Sequence, residues 1–298
     1  MTRILVVGDV VDDIVVRPLG SVNTASDTDA EIRRTAGGSA ANVASWLGHL
    51  GTDVRFVGRA GREGAARHRD ALAAYGVDAR VTADPEAETA TIVLNLDPAG
   101  ERTMFVDRAA NALLSPDDLP RSVLEGVGWL HLTGYSFFDD AVRPVVLDLL
   151  GRARAAGCGV SVDPSSAGFL AGCGAETFLD WVAGSDLLFP NLLEGRFLTG
   201  LSEPDHVIAA LAERSPAVVL KLGADGATLA WRGELARVSA EPADVVDTTG
   251  AGDAFAAGFL SVWTSARDAT SALTAGARAA AQAISVLGAR PVRESGPR

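Results

Sequence analysis

Short apolar runs alternate with longer stretches of helical periodicity along this chain. The apolar runs predict buried strands, because strands in a covered sheet are apolar on both faces; they span residues 4–7, 53–57, 129–132, 160–162, 187–189 and 217–222. Apolar residues at helical spacing predict helices over residues 40–50, 63–75, 141–156, 204–214, 251–263 and 269–287. Repeated strand–helix units indicate an α/β fold with a mainly parallel sheet and helices on both faces.

Two pairs of β segments break this alternation. Residues 14–17 with 31–35, and residues 89–96 with 103–106, follow each other without an intervening helix. The second pair predicts a hairpin that turns at residues 97–100, which read Asp-Pro-Ala-Gly. These segments therefore predict a small second sheet that projects from the main body.

Composition narrows the possible classes of protein. The chain has 298 residues, 48% of them hydrophobic, which allows one large α/β domain or two smaller ones. A formal net charge of −12 argues against binding to nucleic acid or to an anionic membrane, since both need a basic surface. No apolar run reaches about 18 residues and no signal-peptide pattern is present, so we expect a cytoplasmic protein with no membrane contact.

The most informative segment lies near the C-terminus. Residues 247–255 read Asp-Thr-Thr-Gly-Ala-Gly-Asp-Ala-Phe, a Gly-rich turn followed by an acid and an apolar run. This order predicts a tight loop that enters a helix N-terminus, where unpaired N–H groups and the helix dipole attract anions. A carboxylate beside an anion site is costly unless it takes part in the chemistry. Taken alone, however, Asp253 is equally compatible with a helix cap.

The whole nonapeptide resembles the C-terminal signature of the ribokinase-like (PfkB) carbohydrate kinases. The resemblance implies a single ribokinase-like three-layer α/β/α domain over residues 1–298. It also implies a small β-sheet lid, at about residues 14–35 and 89–107, that covers the sugar site and forms a homodimer. By the same resemblance, Asp253 is the general base, and the N–H groups of Gly250, Ala251 and Gly252 form an anion hole for the transferred phosphate. Phosphoryl transfer depends mainly on such positioning and electrostatic stabilisation.

A second motif precedes the first predicted helix. Residues 37–42 read Gly-Gly-Ser-Ala-Ala-Asn, which by itself is compatible with a simple turn. It also resembles the N-terminal signature of the family, which implies that Gly37, Gly38 and Asn42 bind sugar hydroxyls. Ribokinases usually carry Lys where this chain has Ser39, a departure that resembles the fructokinase and keto-acid-sugar kinase branches.

Three acids follow the first predicted strand. The carboxyl edge of a parallel sheet is where ligands bind in α/β folds, and carboxylates accept hydrogen bonds from sugar hydroxyls. The family pattern maps to Asp13, while Asp9 and Asp12 are alternative ligands. Arg108, just after the second β pair, is a further substrate candidate, which would pair with a carboxylate or a phosphate of the ligand.

The second half of the chain carries the candidate nucleotide and metal residues. Asn191 and Glu194 lie three residues apart, so both can face one point or form a capping pair. They resemble the Asn-x-x-Glu motif of the family, which implies that Glu194 organises Mg²⁺ through water and that Asn191 faces the phosphates. The resemblance also brings a Gly-x-x-Gly segment to the nucleotide cleft; its residues are Gly223 and Gly226, preceded by Lys221. Lys221 is compatible with either a phosphate contact or a solvent-exposed position.

Many relatives also bind a monovalent cation such as K⁺ beside the anion hole. The matching positions here are Asp247, Thr249 and Gly288. These resemblances together predict an ATP-dependent, Mg²⁺-requiring kinase that phosphorylates a hydroxymethyl group of a sugar or sugar-like compound. A nucleoside kinase of the same fold and a non-catalytic sugar-sensing member are the alternatives. An aromatic pair placed to hold a base would favour the former, whereas the intact Asp253 argues against the latter.

Overall fold

The computed structural model describes residues 2–96 and 102–292. The strands are β1 (Arg3–Val7), β2 (Val11–Pro18), β3 (Ala30–Gly37), β4 (Val54–Gly61), β5 (Asp78–Asp84), β6 (Thr91–Leu96), β7 (Arg102–Asp107), β8 (Val127–Thr133), β9 (Gly159–Asp163), β10 (Leu187–Leu188), β11 (Ala217–Lys221), β12 (Ala227–Trp231) and β13 (Glu234–Val238). The α-helices are α1 (Ser39–His49), α2 (Arg62–Ala73), α3 (Arg143–Ala155), α4 (Ala167–Cys173), α5 (Ala175–Trp181), α6 (Leu192–Thr199), α7 (Pro204–Ala212), α8 (Ala251–Ala266) and α9 (Ala269–Ile284).

The main sheet has nine strands in the order β13-β12-β11-β10-β9-β8-β1-β4-β5. In this sheet order, the seven strands β11, β10, β9, β8, β1, β4 and β5 are parallel to one another. The pairs β11–β12 and β12–β13 are antiparallel. The chain builds outward from β1 in one direction through β4 and β5, then in the other through β8 to β13. The change of direction lies between β1 and β8, and in open parallel sheets the ligand crevice forms at such a point.

Helices cover both faces of this sheet. Alternate residues of β1 enter opposite cores: Ile4 and Val6 pack with α1, α2, α8 and α9, whereas Leu5 and Val7 pack with the helices from α3 to α7. This division follows from the period of two along a strand. The result is the predicted three-layer α/β/α arrangement, and because both faces are covered the central strands are mostly apolar.

A smaller sheet of four strands, in the order β3-β2-β6-β7, stands apart from the main sheet. The pairs β2–β3 and β6–β7 are antiparallel, and β2 and β6 join them in parallel. Both predicted β pairs are therefore present and form one sheet. The predicted hairpin turn at residues 97–100 lies outside the described residues.

Some elements were missing from the sequence expectation. The edge strands β5 and β13 are largely exposed or half-buried, so they lack the long apolar runs of the central strands. Strand β12 is buried, but it reads Ala-Thr-Leu-Ala-Trp and so contains no continuous run of large apolar residues. The helices α4 and α5 have only seven residues each, too few to show a clear helical period. Within the described residues, no helix is long and apolar enough to cross a membrane.

Candidate active site

A cavity of about 620 Å³ lies at the carboxyl edge of the main sheet, beneath the small sheet. Most of the predicted site residues line it, although they come from all parts of the chain. These are Asp13, Gly38, Asn42, Arg108, Asn191, Glu194, Lys221, Thr249, Gly250, Ala251, Gly252 and Asp253. The other predicted residues, Gly37, Asp247, Gly288, Gly223 and Gly226, are not among the lining residues.

Asp253 lies in the first turn of α8 and is held by two side chains from α1. The Ser39 hydroxyl donates to Oδ1 at 2.7 Å, and the Asn42 amide donates through Nδ2 to Oδ2 at 2.9 Å. Burial raises the pKa of Asp253 to about 7, although these two hydrogen bonds oppose the shift. A carboxylate with a pKa near neutrality can accept a proton from a substrate and release it again.

The turn before Asp253 needs glycine for two physical reasons. Gly250 is the N-cap of α8 and has a φ of 75°, a left-handed conformation that side chains disfavour. A Cβ at this position would also lie 2.6 Å from the Cβ of Ala289, so the turn packs tightly on the segment after α9. The first N–H groups of an α-helix have no acceptor within the helix. The turn therefore presents donors and the positive end of the α8 dipole to the cavity.

The three acids after β1 have different surroundings. Asp9 caps α1 from outside the helix, accepting from the N–H groups of Ser39 at 2.7 Å and Ala40 at 3.1 Å. Asp12 accepts from Arg67 at 2.6 Å and lies 2.8 Å from the His68 ring nitrogen, and it is not among the cavity-lining residues. Asp13 lines the cavity, and burial raises its pKa to about 7. Asp9 also lines the cavity, but its carboxylate is engaged by α1, whereas the Asp13 carboxylate lies in the cavity beside Gly37.

The glycine pair before α1 brings backbone and carboxylate close together. A Cβ at Gly37 would lie 2.0 Å from Oδ2 of Asp13, so only glycine leaves room for that carboxylate. Gly38 has a φ of 95°, and a Cβ there would lie 2.6 Å from the carbonyl oxygen of Asp9. The motif therefore leaves room for the Asp13 carboxylate in the cavity, and it does more than turn the chain.

Asn191 and Glu194 form the capping box of α6 and also line the cavity. The Asn191 Oδ1 accepts from the N–H of Glu194 at 2.9 Å, and Oε2 of Glu194 accepts from the N–H of Asn191 at 2.9 Å. The Asn191 amide donates to Oε1 of Glu194 at 2.7 Å. Both alternatives from the sequence are therefore present at once. Glu194 is 2% exposed, and burial together with the nearby Asp163 raises its pKa.

Lys221 does not extend to solvent, so that alternative is wrong. Its Nζ donates to Oδ2 of Asp163 at 2.5 Å, and both side chains are largely buried. A Cβ at Gly252 would lie 3.2 Å from Nζ, which puts the ammonium group beside the turn of α8. The carboxylates of Asp163 and Glu194 keep the lysine charged, because they oppose the effect of burial on its pKa.

Arg108 stands where the small sheet returns to the main body. Its Nη2 donates to the carbonyl oxygen of Tyr135 at 3.1 Å, and Nη1 lies 3.8 Å from the Asp139 carboxylate. The guanidinium lies 5.1 Å from the centre of the Phe169 ring. Arg108 therefore joins the small sheet to α4 and to the segment between β8 and α3, beside the cavity.

The predicted cation-site residues are close together beside the α8 turn. Oδ1 of Asp247 accepts from the Thr249 hydroxyl at 2.7 Å, and Oδ2 accepts from the N–H of Gly288 at 3.0 Å. The described residues contain no cluster of three or more His, Cys, Asp or Glu side chains arranged to hold a metal ion. Gly223 lies in a turn after β11, and Gly226 packs against the carbonyl oxygen of Val238.

Sequence reasoning missed two charged residues of this region. Asp163 lies at the carboxyl end of β9, at the same sheet edge as the acids after β1, so its position was a usable signal. Arg290 lies after α9 and donates to the Gly37 carbonyl oxygen at 2.9 Å. No periodicity or motif distinguishes this arginine, since its partners are more than 240 positions away.

Known proteins resemble this chain over most of its length. The sequence profile of pfkB family carbohydrate kinases matches residues 1–295. The chain belongs to this family. It is 32% identical over 268 residues to a fructokinase from Klebsiella pneumoniae, covering 87% of this chain and 83% of the relative. It is 31% identical over 282 residues to an ATP-dependent ribose-1-phosphate kinase from Halopiger xanaduensis, covering 92% and 88%.

A solved structure agrees with this membership. The crystal structure of a fructokinase from Vibrio cholerae O395, in its fructose, ADP and calcium ion bound form, matches with a TM-score of 0.80. The two sequences are 26% identical, and the match covers 97% of this chain and 94% of the fructokinase. The predicted fold and enzyme class, a pfkB family phosphotransferase, are confirmed.

Proposed function

We propose that this pfkB family kinase transfers a phosphoryl group from ATP to a hydroxymethyl group of a sugar or sugar-like alcohol, with Asp253 as the general base. The observation that carries the proposal is the position of Asp253 between two kinds of groups. Ser39 and Asn42 hold it from the acceptor side, and the N–H groups of the α8 turn adjoin it on the other. A base between an alcohol site and an anion site fits phosphoryl transfer.

The proposed step forms one bond to the γ-phosphorus of ATP and breaks another. The acceptor hydroxyl gives its proton to the Asp253 carboxylate as its oxygen forms a bond to the γ-phosphorus of ATP. The bond between that phosphorus and the bridging oxygen breaks, and ADP leaves. The N–H groups of Gly250, Ala251 and Gly252, with the Lys221 ammonium nearby, stabilise the negative charge on the transferred group. The small sheet would exclude water, which otherwise competes as the acceptor.

The residues opposite the turn fit a magnesium ion that keeps its water ligands. Glu194 and Asp163 supply carboxylate oxygens, but hydrogen bonds from Asn191 and Lys221 already engage them. Such engaged carboxylates suit contact through water rather than direct coordination. When bound with ATP, Mg²⁺ would offset phosphate charge. Asp247, Thr249 and Gly288 stay a predicted site for a monovalent cation such as K⁺.

The outer face of the small sheet fits a homodimer. The strand register puts Ile32 and Phe105 on the face opposite the cavity, and they are 63% and 62% exposed. Apolar side chains exposed on one sheet face are typical of protein interfaces. Sedimentation of the protein and of Phe105→Glu tests this, since a dimer through the lid should dissociate in the variant.

A nucleoside acceptor is the second candidate, and one observation favours it. The cavity face of the small sheet carries Leu94, Met104 and Val106, with Phe169 also lining the cavity. Apolar side chains of this kind pack well against a planar base, whereas a free sugar presents hydroxyls on most sides. The acceptor could therefore be a ribose with an attached base.

A coupled ADP-release assay decides between these functions. The panel contains aldoses, ketoses, keto-deoxy acids and nucleosides, each with MgATP, and the wild-type protein should turn over at least one of them. Asp253→Asn should bind the same acceptor and ATP but lose about 100- to 10,000-fold in kcat. Binding of a sugar without turnover by the wild type would instead favour a sugar sensor. Near-wild-type activity of the variant would contradict the role of Asp253.

A further inference from the structure

The segment that follows α9 is anchored on both sides of Arg290. The Trp46 indole donates to the carbonyl oxygen of Ala289 at 3.0 Å, and the Tyr75 hydroxyl donates to that of Pro291 at 2.8 Å. Because its two neighbours are fixed to α1 and to the end of α2, the side chain of Arg290 enters the site from a rigid backbone.

The guanidinium of Arg290 contacts the acceptor end of the cavity. Nη2 donates to the Gly37 carbonyl oxygen at 2.9 Å, and Nε makes a long hydrogen bond of 3.4 Å to Oδ1 of Asn42. Nη1 is buried and has no hydrogen-bond partner among the described residues. A buried guanidinium with only neutral acceptors is costly, which suggests that its charge has a use at this place.

The Asn42 amide is thereby oriented without ambiguity. Arg290 can only donate, so it selects the oxygen of the amide, and the Asp253 carboxylate can only accept, so it selects the nitrogen. A rotation of the amide by 180° would place its NH₂ group against the Arg290 guanidinium, donor against donor, and its oxygen against the Asp253 carboxylate, acceptor against acceptor. One N–H of Asn42 therefore points to Asp253.

The charge of Arg290 also acts on Asp13, because Gly37 accepts a hydrogen bond from Arg290 and lies directly against the Asp13 carboxylate. Burial raises the pKa of Asp13 to about 7, the carboxylates of Asp9, Asp12 and Asp247 raise it as well, and Arg290 is the cation that opposes them. The titratable groups that interact electrostatically with Arg290 are Tyr75, Asp13, Asp12, Asp9 and His68. Burial lowers the pKa of Arg290 to about 10, so the guanidinium stays charged at neutral pH.

We propose that Arg290 is a positioning residue of the acceptor site, which fixes the Asn42 amide toward Asp253 and supplies the positive charge opposite Asp13. Its role in catalysis rests on the proposed function, but its two structural effects do not. The hydrogen bonds require the planar fork of arginine, whereas the effect on Asp13 requires only a positive charge. Lysine and glutamine at position 290 therefore separate the two effects.

The first test uses the protein without substrate. Carboxyl ¹³C NMR titrations report the midpoints of Asp13 and Asp253, which are assigned with Asp13→Asn and Asp253→Asn. In Arg290→Gln the Asp13 midpoint should rise by about 1 pH unit, because the opposing charge is gone. The Asp253 midpoint should rise in both Arg290→Gln and Arg290→Lys, because Asn42 no longer donates reliably. Arg278→Gln, which removes an exposed arginine of α9, should move neither midpoint.

The outcomes of this titration are distinct. Unchanged midpoints in Arg290→Gln would overturn the proposal. If the Asp13 midpoint rises as much in Arg290→Lys as in Arg290→Gln, the claim that the charge of Arg290 acts on Asp13 is contradicted. If the Asp253 midpoint is unchanged in both variants, the claim that Arg290 orients Asn42 is contradicted. If Arg290→Gln does not fold, Arg290→Lys still decides the orienting effect, since it keeps the charge. Because no acceptor is needed, a failure of the proposed function is seen separately.

The second test measures kinetics with fructose, or with the best acceptor of the panel if fructose is not phosphorylated. Arg290→Gln should raise the acceptor KM about tenfold at pH 7 and by less at pH 9, where Asp13 ionises without help. The KM for ATP should not change. A loss that is equal at both pH values, or one that falls on ATP, would show a merely structural role and contradict the proposal.

Discussion

The Ser39 hydroxyl donates a hydrogen bond of 2.7 Å to Asp253, joining two residues that are 214 positions apart. The bond joins the N-terminal turns of α1 and α8, which pack side by side on the same face of the main sheet. It connects the two sequence signatures directly, and it lowers the pKa of the carboxylate against the effect of burial.

Ser39→Ala should shift the pH dependence of activity. Without the hydroxyl, the pKa of Asp253 rises above about 7, so less of the base is ionised at neutral pH. The acid limb of kcat/KM should move up by about 0.5–1 pH unit, with a loss of several-fold at pH 6.5 that nearly vanishes at pH 9. Ser45→Ala is the control, because that hydroxyl bonds to the Ala41 carbonyl oxygen on the same helix. An equal loss at every pH would contradict this role.

Asp253→Asn should be more stable than the wild type above neutral pH. The pKa of Asp253 is about 7 in the folded protein and near 4 in the unfolded chain. The folded protein therefore loses stability as the pH rises from about 4 to 7, and the loss is complete above pH 7. The variant avoids this cost, which we put at about 1–2 kcal/mol for a site that opens to solvent. Urea unfolding at pH 4 and pH 8 measures the difference. If the stability advantage of the variant over the wild type were smaller at pH 8 than at pH 4, the prediction would be contradicted.

Glu194→Gln should raise the Mg²⁺ requirement. The amide can still accept from the Asn191 N–H, so the capping box and the fold should persist. The negative charge is lost, however, and the Mg²⁺ concentration for half-maximal activity should rise about tenfold. Titration with Mg²⁺ at constant MgATP measures it, with the exposed Glu213→Gln as the control. If the Mg²⁺ concentration for half-maximal activity were unchanged, the proposed role of Glu194 in the metal site would be contradicted.

Gly37→Ala should damage the acceptor site selectively. The added Cβ would lie 2.0 Å from the Asp13 carboxylate, which must move away from its position in the cavity. The acceptor KM should rise at least about tenfold, while the KM for ATP stays the same. Gly20→Ala is the matched control, since no atom lies within 4 Å of its added Cβ. Loss of ATP binding in Gly37→Ala would show that this end of the cavity does not hold the acceptor.

Much of the fold was predictable because burial on both faces of a sheet leaves a clear pattern. The apolar runs at β1, β8 and β9 and the helical repeats of α8 and α9 correspond to the predicted elements. Edge strands are half exposed and short helices have few periods, so β5 and α4 were missed. The antiparallel hairpin of β12 and β13 was missed because β13 is mostly exposed and the buried β12 is short and contains Thr and two Ala residues.

For the site, the sequence by itself singled out the glycines and acids that we propose carry the chemistry, because the turns at Gly37 and Gly250 need particular residues in consecutive positions. Only the tertiary structure separated Asp13 from Asp9 and Asp12, which are engaged by α1 and α2, and it alone revealed the pairing of Lys221 with Asp163. It alone brought Arg290 to Asn42. The physical reason is that a local motif is fixed by neighbours along the chain, whereas the partner of a buried charge is fixed by packing between elements distant in sequence.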